Sequence, residues 1–85
     1  MTAKVIMYAT RFCPYCMRAR RLLNNKGVDF EEIRVGTGND LWKKMEELSG
    51  RDTVPQIFIN DESVGGYDDI AALNQQGALD SKLGL

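Results

Sequence analysis

The residues best suited to chemistry in this sequence are its only two cysteines, which stand in Cys13-Pro14-Tyr15-Cys16. One helical turn between two thiols brings them close enough to form a disulfide and to release it again as a dithiol. An ionised thiol is also a nucleophile. The spacing therefore favours a redox pair that cycles between a disulfide and a dithiol.

Three other interpretations of the pair are weaker. A structural zinc ion usually takes four Cys or His ligands, whereas this chain has two Cys and no His. A disulfide that closes so small a ring removes little entropy from the unfolded chain, and secreted disulfide-stapled domains usually carry more cysteines. Two inert core cysteines are the third alternative. We expect a redox pair and no metal site.

The surrounding sequence predicts that Cys13 lies where a strand gives way to a helix. The apolar run Val5–Tyr8 predicts a buried strand, and residues 14–26 predict a helix. Pro14 suits the first helical position, because its φ is fixed and its missing N–H would have no partner there. Cys13 would then be the N-cap, facing free N–H groups and the positive end of the helix dipole, which favour the thiolate.

Length and composition are those of one soluble globular domain. The chain has 85 residues, of which 44% are hydrophobic and 27% charged. A net charge of −1 gives no reason to expect nucleic acid or an anionic membrane as partner. No apolar run approaches the roughly 20 residues of a spanning helix, and residues 1–5 lack the features of a signal peptide. We therefore expect a cytoplasmic protein, where a cysteine pair is more often catalytic than structural.

The remaining pattern predicts alternating strands and helices. We expect further strands at residues 28–35, at 56–59 and around Val64, and a loop at residues 36–39. A helix capped by Asn39 or Asp40 and ending at Gly50 should carry Leu41, Met45 and Leu48 on one face. Another should run from about Asp68 to Gln76, with a last helical turn at Leu79 and Leu83.

This order, β-α-β-α-β-β-α, predicts an α/β fold with a mixed four-stranded sheet. A strand-helix-strand start implies a parallel crossover, and the two strands around residue 60 imply an antiparallel hairpin. Helices should cover both faces of the sheet. The cysteines should lie at the carboxyl end of the first strand, where α/β sheets usually place ligands.

Three separated motifs make the chain resemble the glutaredoxin family over nearly all of its length. They are Cys13-Pro14-Tyr15-Cys16, Thr53-Val54-Pro55 and Gly65-Gly66-Tyr67-Asp68-Asp69. The resemblance implies one glutaredoxin domain over residues 1–85 with the thioredoxin-like fold. It also implies an enzyme of cell redox homeostasis that catalyses glutathione-dependent thiol–disulfide exchange.

The second and third motifs suggest how glutathione would bind. In the family the Val54–Pro55 bond is cis, which would leave the Val54 backbone free to pair with an extended peptide such as glutathione. The glycines let the backbone approach a ligand closely. At the following helix start, backbone N–H groups could bind a carboxylate while an Asp takes the ammonium. The alternatives are an edge-strand proline and plain helix caps.

The resemblance and the local chemistry together give a set of expected site residues. Cys13 and Cys16 are the expected catalytic pair. Structural positions at the site are Pro14, Phe12 and Trp42, the last two as an apolar rim. The expected glutathione-binding residues are Arg11, Tyr15, Thr53, Val54, Pro55, Gly66, Tyr67, Asp68 and Asp69.

The sequence departs from the family at two positions that help to hold the glycine carboxylate of glutathione. Thr10 stands where many glutaredoxins have Lys, and Trp42 where many have Gln or Arg. Arg11 and Lys43 are each one residue away and could replace them, although Arg11 could equally be a solvated surface charge. Tyr67 stands where Cys is common, and its ring could cover the glutathione.

The expected mechanism assigns different roles to the two thiols. Cys13 would attack a protein disulfide or a glutathionylated protein, and a buried Cys16 would resolve the intermediate. Ribonucleotide reductase is a typical client of the family, and we expect a monomer. A dithiol reductant fed by a thioredoxin reductase is one alternative function. A glutathione-ligated iron–sulfur carrier is another, which the stiff Pro14 disfavours.

Overall fold

The computed structural model describes residues 3–36 and 38–85, and Thr37 of the predicted loop lies outside them. The described residues form four strands and four helices. These are β1 Val5–Ala9, α1 Pro14–Asn25, β2 Glu31–Arg34, α2 Asp40–Ser49, β3 Gln56–Ile59, β4 Glu62–Gly65, α3 Tyr67–Gln75 and α4 Ala78–Leu83.

The strands form one mixed sheet in the order β2-β1-β3-β4. β1 pairs with β2 in parallel, with Tyr8 opposite Ile33. β1 pairs with β3 antiparallel, with Tyr8 opposite Gln56, and the β3–β4 hairpin is antiparallel. This arrangement confirms the predicted mixed four-stranded sheet.

Side chains alternate across β1 and so divide the core between the two faces of the sheet. One face packs against α1, α3 and α4, and the other against α2. The first core contains Val5, Met7, Ala9, Cys16, Ala19, Leu23, Val28, Ile57, Ile59, Ile70, Leu79 and Leu83. The second contains Tyr8, Val35, Met45 and Phe58. The helices therefore lie on both faces, as the sequence predicts.

The sequence prediction for β2 was wrong at its start. The strand begins at Glu31, three residues after the predicted Val28. Val28 is buried in the first core, but its N–H is bonded to the Leu23 carbonyl at 3.5 Å, so it belongs to the turn that closes α1. The segment between α1 and β2 is apolar because part of it is buried, and its sequence therefore resembles that of a strand.

The apolar face predicted for α2 is buried at Met45 but not at its two leucines. Met45 is fully buried, whereas Leu41 and Leu48 are 42% and 53% exposed. Trp42, three residues before Met45, packs against the second core in their place. The helix is capped by Asn39, whose side chain accepts a hydrogen bond from the Trp42 N–H at 2.9 Å. It ends at Gly50, whose φ of 73° suits glycine.

Within residues 3–36 and 38–85, no helix has the length and apolar character needed to span a membrane.

Candidate active site

Cys13 is the N-cap of α1 and lies just beyond the carboxyl end of β1. Its extended backbone turns the sulfur back over the first turn of the helix, and its Sγ accepts a hydrogen bond from the Cys16 N–H at 3.3 Å. Pro14 occupies the first helical turn. The half-buried thiol therefore meets the backbone donors and the positive end of the helix dipole, both of which stabilise a thiolate.

Cys16 has a different environment, because its side chain is fully buried. Burial raises the pKa of the Cys16 thiol to about 11, and a hydrogen bond with Cys13 acts in the same direction. The Thr10 backbone N–H and the Arg20 charge oppose this rise in pKa. Cys16 is therefore a thiol at neutral pH. The two cysteines differ in exposure in the way that an attacking and a resolving thiol must.

A groove of about 400 Å³ lies beside the cysteines and joins parts of all three motifs. It is lined by Tyr15, Arg51, Thr53, Val54, Pro55, Gly66, Tyr67, Asp68 and Asp69. Eight of these nine residues belong to the set expected from the sequence. Cys13 is adjacent to the groove, since its thiol donates to the Val54 carbonyl with an Sγ–O distance of 3.9 Å.

Val54 offers a backbone edge to the groove. The Val54–Pro55 peptide bond is cis. Within residues 3–36 and 38–85, no backbone group accepts a hydrogen bond from the Val54 N–H. The segment is held by the fully buried Gln56, whose Nε2 donates to the Thr53 carbonyl at 3.0 Å and to Thr53 Oγ1 at 3.2 Å. An extended peptide could pair with this edge as an added strand does.

The start of α3 forms the opposite wall of the groove. The Asp69 carboxylate accepts hydrogen bonds from the Gly66 N–H at 2.9 Å and from Arg51 Nη1 at 2.8 Å. The Gly66 hydrogen bond, followed by the Arg51 contact, holds the pKa of Asp69 below its usual value. Asp69 therefore caps the helix, and the exposed Asp68 is the acid that remains open to a ligand.

The two glycines before α3 are required by space. A Cβ on Gly65, whose φ is 104°, would overlap the Asp69 carboxylate. A Cβ on Gly66 would lie 3.1 Å from the Pro55 carbonyl oxygen. Both walls of the groove meet at Gly66, so the Pro55 carbonyl would have to shift by a few tenths of an ångström to admit a side chain there.

Four residues considered for the site do not line the groove. Arg11 lies over the Phe12 ring, with 5.2 Å from its guanidinium carbon to the ring centroid. Phe12 itself is 84% exposed, and Lys43 also points to solvent. Trp42 packs against the second core and not around the cysteines as a rim. Arg11 is therefore a solvated surface charge, which was the alternative interpretation of this residue.

Sequence reasoning missed Arg51, which is the cation that lines the groove. Its guanidinium bonds Asp69, 18 residues further along the chain. Arg51 stands two residues before Thr53, in the segment that ends at the cis peptide bond, and this position could have indicated that it lies in the groove. Arg51 thus brings a positive charge to the groove beside the start of α3.

Comparisons with known proteins agree with this geometry. Residues 5–64 match the model of the glutaredoxin family. The chain is 47% identical to a glutaredoxin of Pseudomonas aeruginosa over 93% of this chain and 94% of the relative. It is 46% identical to glutaredoxin 3 of Escherichia coli K12, over 95% and 98%. The solution structure of a Brucella melitensis glutaredoxin has a TM-score of 0.84 at 49% identity, covering 96% of this chain and 89% of that one.

A thioredoxin-like fold with a Cys-x-x-Cys pair at a helix start defines the class of thiol–disulfide oxidoreductases. Within that class, the chain belongs to the glutaredoxin family.

Proposed function

We propose that the protein uses glutathione to reduce protein disulfides and protein–glutathione mixed disulfides. The observation that carries the proposal is the position of Cys13 beside a peptide-sized groove. One wall of this groove offers the Val54 backbone, and the other offers a helix start with an exposed acid, Asp68. These are the features needed to bind an extended peptide that has a carboxylate and an ammonium at one end.

The γ-glutamyl end of glutathione fits the start of α3. Because the Gly66 N–H is already bonded to Asp69, the N–H groups of Tyr67 and Asp68 remain for a carboxylate. Arg51 adds positive charge on the same wall, and the Asp68 carboxylate can take the ammonium. The cysteinyl backbone of glutathione would pair with Val54, which directs its sulfur toward Cys13.

The proposed reaction proceeds through two exchanges. The Cys13 thiolate attacks one sulfur of the substrate disulfide, a bond forms between those sulfurs, and the other substrate sulfur leaves as a thiolate. Cys16 then attacks the Cys13 sulfur, and the Cys16 proton passes to the second substrate sulfur, which leaves as a thiol. Two glutathione molecules reduce the resulting Cys13–Cys16 disulfide and become glutathione disulfide. For a glutathionylated substrate, a second glutathione can replace Cys16.

Protein clients would approach over the exposed rim of the active site. Phe12, Tyr15 and Met17 are 84%, 51% and 60% exposed, and Arg18 lies over the Tyr15 ring at 5.5 Å. This surface can cover an extended client segment around a disulfide. We also propose that the protein reduces cytoplasmic clients such as ribonucleotide reductase, and that it acts as a monomer.

The test is turnover of a glutathione mixed disulfide, with glutathione, glutathione reductase and NADPH as the electron source. We expect turnover that Cys13→Ser abolishes and Cys16→Ser retains, because only Cys13 forms the intermediate in this reaction. A folded, reducible protein that fails this assay but accepts electrons from a thioredoxin reductase would overturn glutathione dependence.

A further inference from the structure

The ion pair between Arg20 and Glu32 is partly shielded from solvent and has no role in the exchange described above. Arg20, in α1, bonds Glu32 of β2 through both arms of its guanidinium, with Nε–Oε1 at 2.5 Å and Nη2–Oε2 at 2.8 Å. The two side chains are only 23% and 21% exposed. By comparison, the partners of the Lys4–Asp61 pair are 65% and 82% exposed. The Arg20 pair is therefore the better ordered of the two.

The same guanidinium also reaches the loop that carries the cysteines. Arg20 Nη2 donates to the Thr10 carbonyl oxygen at 3.4 Å. Thr10 follows β1 directly and lies three residues before Cys13. Arg20 is also four residues after Cys16 in α1, so both lie on one side of that helix. A single side chain thus connects β2, the loop after β1 and the helix face of the buried thiol.

We propose that Arg20, held by Glu32, is a positioning residue for Cys16, because it ties the helix face that carries Cys16 to the Thr10 backbone, three residues before Cys13. The inference rests on the proposed exchange, in which Cys16 attacks Cys13. The effect falls on the resolving step, when the two sulfurs must meet in the correct orientation and charge develops on the fully buried Cys16.

Charge and position make separable contributions at this site. The charged and titratable groups that act on Cys16 within the described residues are Cys13 and Arg20. A bare positive charge near Cys16 would help a thiolate form from any orientation. Holding Thr10 needs the planar guanidinium and its carboxylate partner, which a lysine cannot reproduce.

The experiment follows the resolving step without glutathione. The reduced protein is mixed with 5,5′-dithiobis(2-nitrobenzoate), and the coloured thionitrobenzoate is recorded by stopped flow. Attack by Cys13 releases one equivalent and leaves a Cys13–thionitrobenzoate mixed disulfide. Attack by the deprotonated Cys16 on the Cys13 sulfur breaks that bond, forms the Cys13–Cys16 disulfide and releases the second equivalent. The second phase disappears in Cys16→Ser.

The variants separate positioning from charge and from stability. Arg20→Gln removes the guanidinium that bonds Glu32 and Thr10, and Arg20→Lys keeps the positive charge without the planar group. Glu32→Gln removes the carboxylate that orients the guanidinium. Lys26→Gln is the matched control, because Lys26 caps the C-terminus of the same helix and pairs with Asp80 at 2.7 Å, away from the cysteines. Urea unfolding of each variant confirms that the measured rates refer to folded protein.

We expect Arg20→Gln to slow the second phase about fivefold or more, the change that corresponds to losing a hydrogen bond of ordinary net strength. Arg20→Lys and Glu32→Gln should show a similar loss, while the first phase and the Lys26→Gln control change little. A normal second phase in Arg20→Gln would overturn the proposal. A full rescue by Arg20→Lys, or an unchanged rate in Glu32→Gln, would also overturn it, since charge alone would then suffice. Failure of glutathione turnover would leave this result intact, because the assay contains no glutathione.

Discussion

Removing the Asp69 carboxylate should destabilise the protein, because one oxygen of that group supports the whole wall at the start of α3. Asp69→Ala removes the bond from the Gly66 N–H at 2.9 Å and the bond from Arg51 at 2.8 Å. Loss of the helix cap costs about 1–2 kcal/mol. The Arg51 and Asp69 side chains are 53% and 42% exposed, so their ion pair adds no more than ~0.5 kcal/mol.

The expected total is therefore about 1–2.5 kcal/mol, measured as the free energy of unfolding in urea. For a domain of this size the corresponding fall in Tm is roughly 4–20 °C. Asp68→Ala is the matched control: Asp68 is the exposed neighbour, and it should lose only ~0.5 kcal/mol through the helix dipole. Arg51→Gln alone should cost no more than ~0.5 kcal/mol.

The effect of Asp69 should also depend on pH with a defined sign. Its pKa in the folded protein lies below the ordinary value of 3.8. The ionised group therefore stabilises the fold fully above that value, and the contribution is lost as the pH falls below 3.8 through the folded pKa. The stability difference between the native protein and Asp69→Ala should shrink from pH 7 to pH 3. Equal costs for Asp69→Ala and Asp68→Ala, or a difference that is constant with pH, would refute the cap.

Three further predictions concern the groove, the core and the buried thiol. Gly66→Ala should raise the KM for glutathione more than it lowers kcat, because its Cβ would lie 3.1 Å from the Pro55 carbonyl; an unchanged KM would contradict this. Met45→Ala should cost about 2–5 kcal/mol of unfolding free energy, and Leu48→Ala less than ~0.5 kcal/mol. Urea titrations of both variants measure this difference, and equal costs would disprove it. In Cys13→Ser, the iodoacetamide alkylation rate of Cys16 should keep rising above pH 9, because burial, the largest cause of its raised pKa, remains in the variant, and a plateau near pH 8 would show that burial does not control this thiol.

The parts of the active site that sequence could predict are those governed by local chemistry. Cys13 and Pro14 form a cap and first turn whose geometry depends on neighbouring residues alone, and the helix indeed begins there. The two glycines before α3 likewise report a close backbone approach that the structure contains. The resemblance to the family then implied that these local features lie together in one site.

The parts that sequence could not predict depend on contacts between distant segments. Arg51 meets Asp69 across 18 residues, and Arg20 meets Glu32 across 12. No periodic pattern marks either pair, because each connects elements whose relative placement is set by the sheet. Leu48 shows the same limit, since helical spacing alone does not reveal that Trp42 takes the place against the core.

A glutathione bound to Cys13 should lie along Val54 and reach the start of α3. The most direct measurement is an NMR comparison of Cys16→Ser, reduced and as its glutathione mixed disulfide, following backbone amide shifts and contacts to the bound peptide. We expect slowed hydrogen exchange at the Val54 N–H and contacts between the γ-glutamyl group and Tyr67 or Asp68. Contacts confined to Arg11 and Lys43, with the Val54 N–H unchanged, would contradict this expectation.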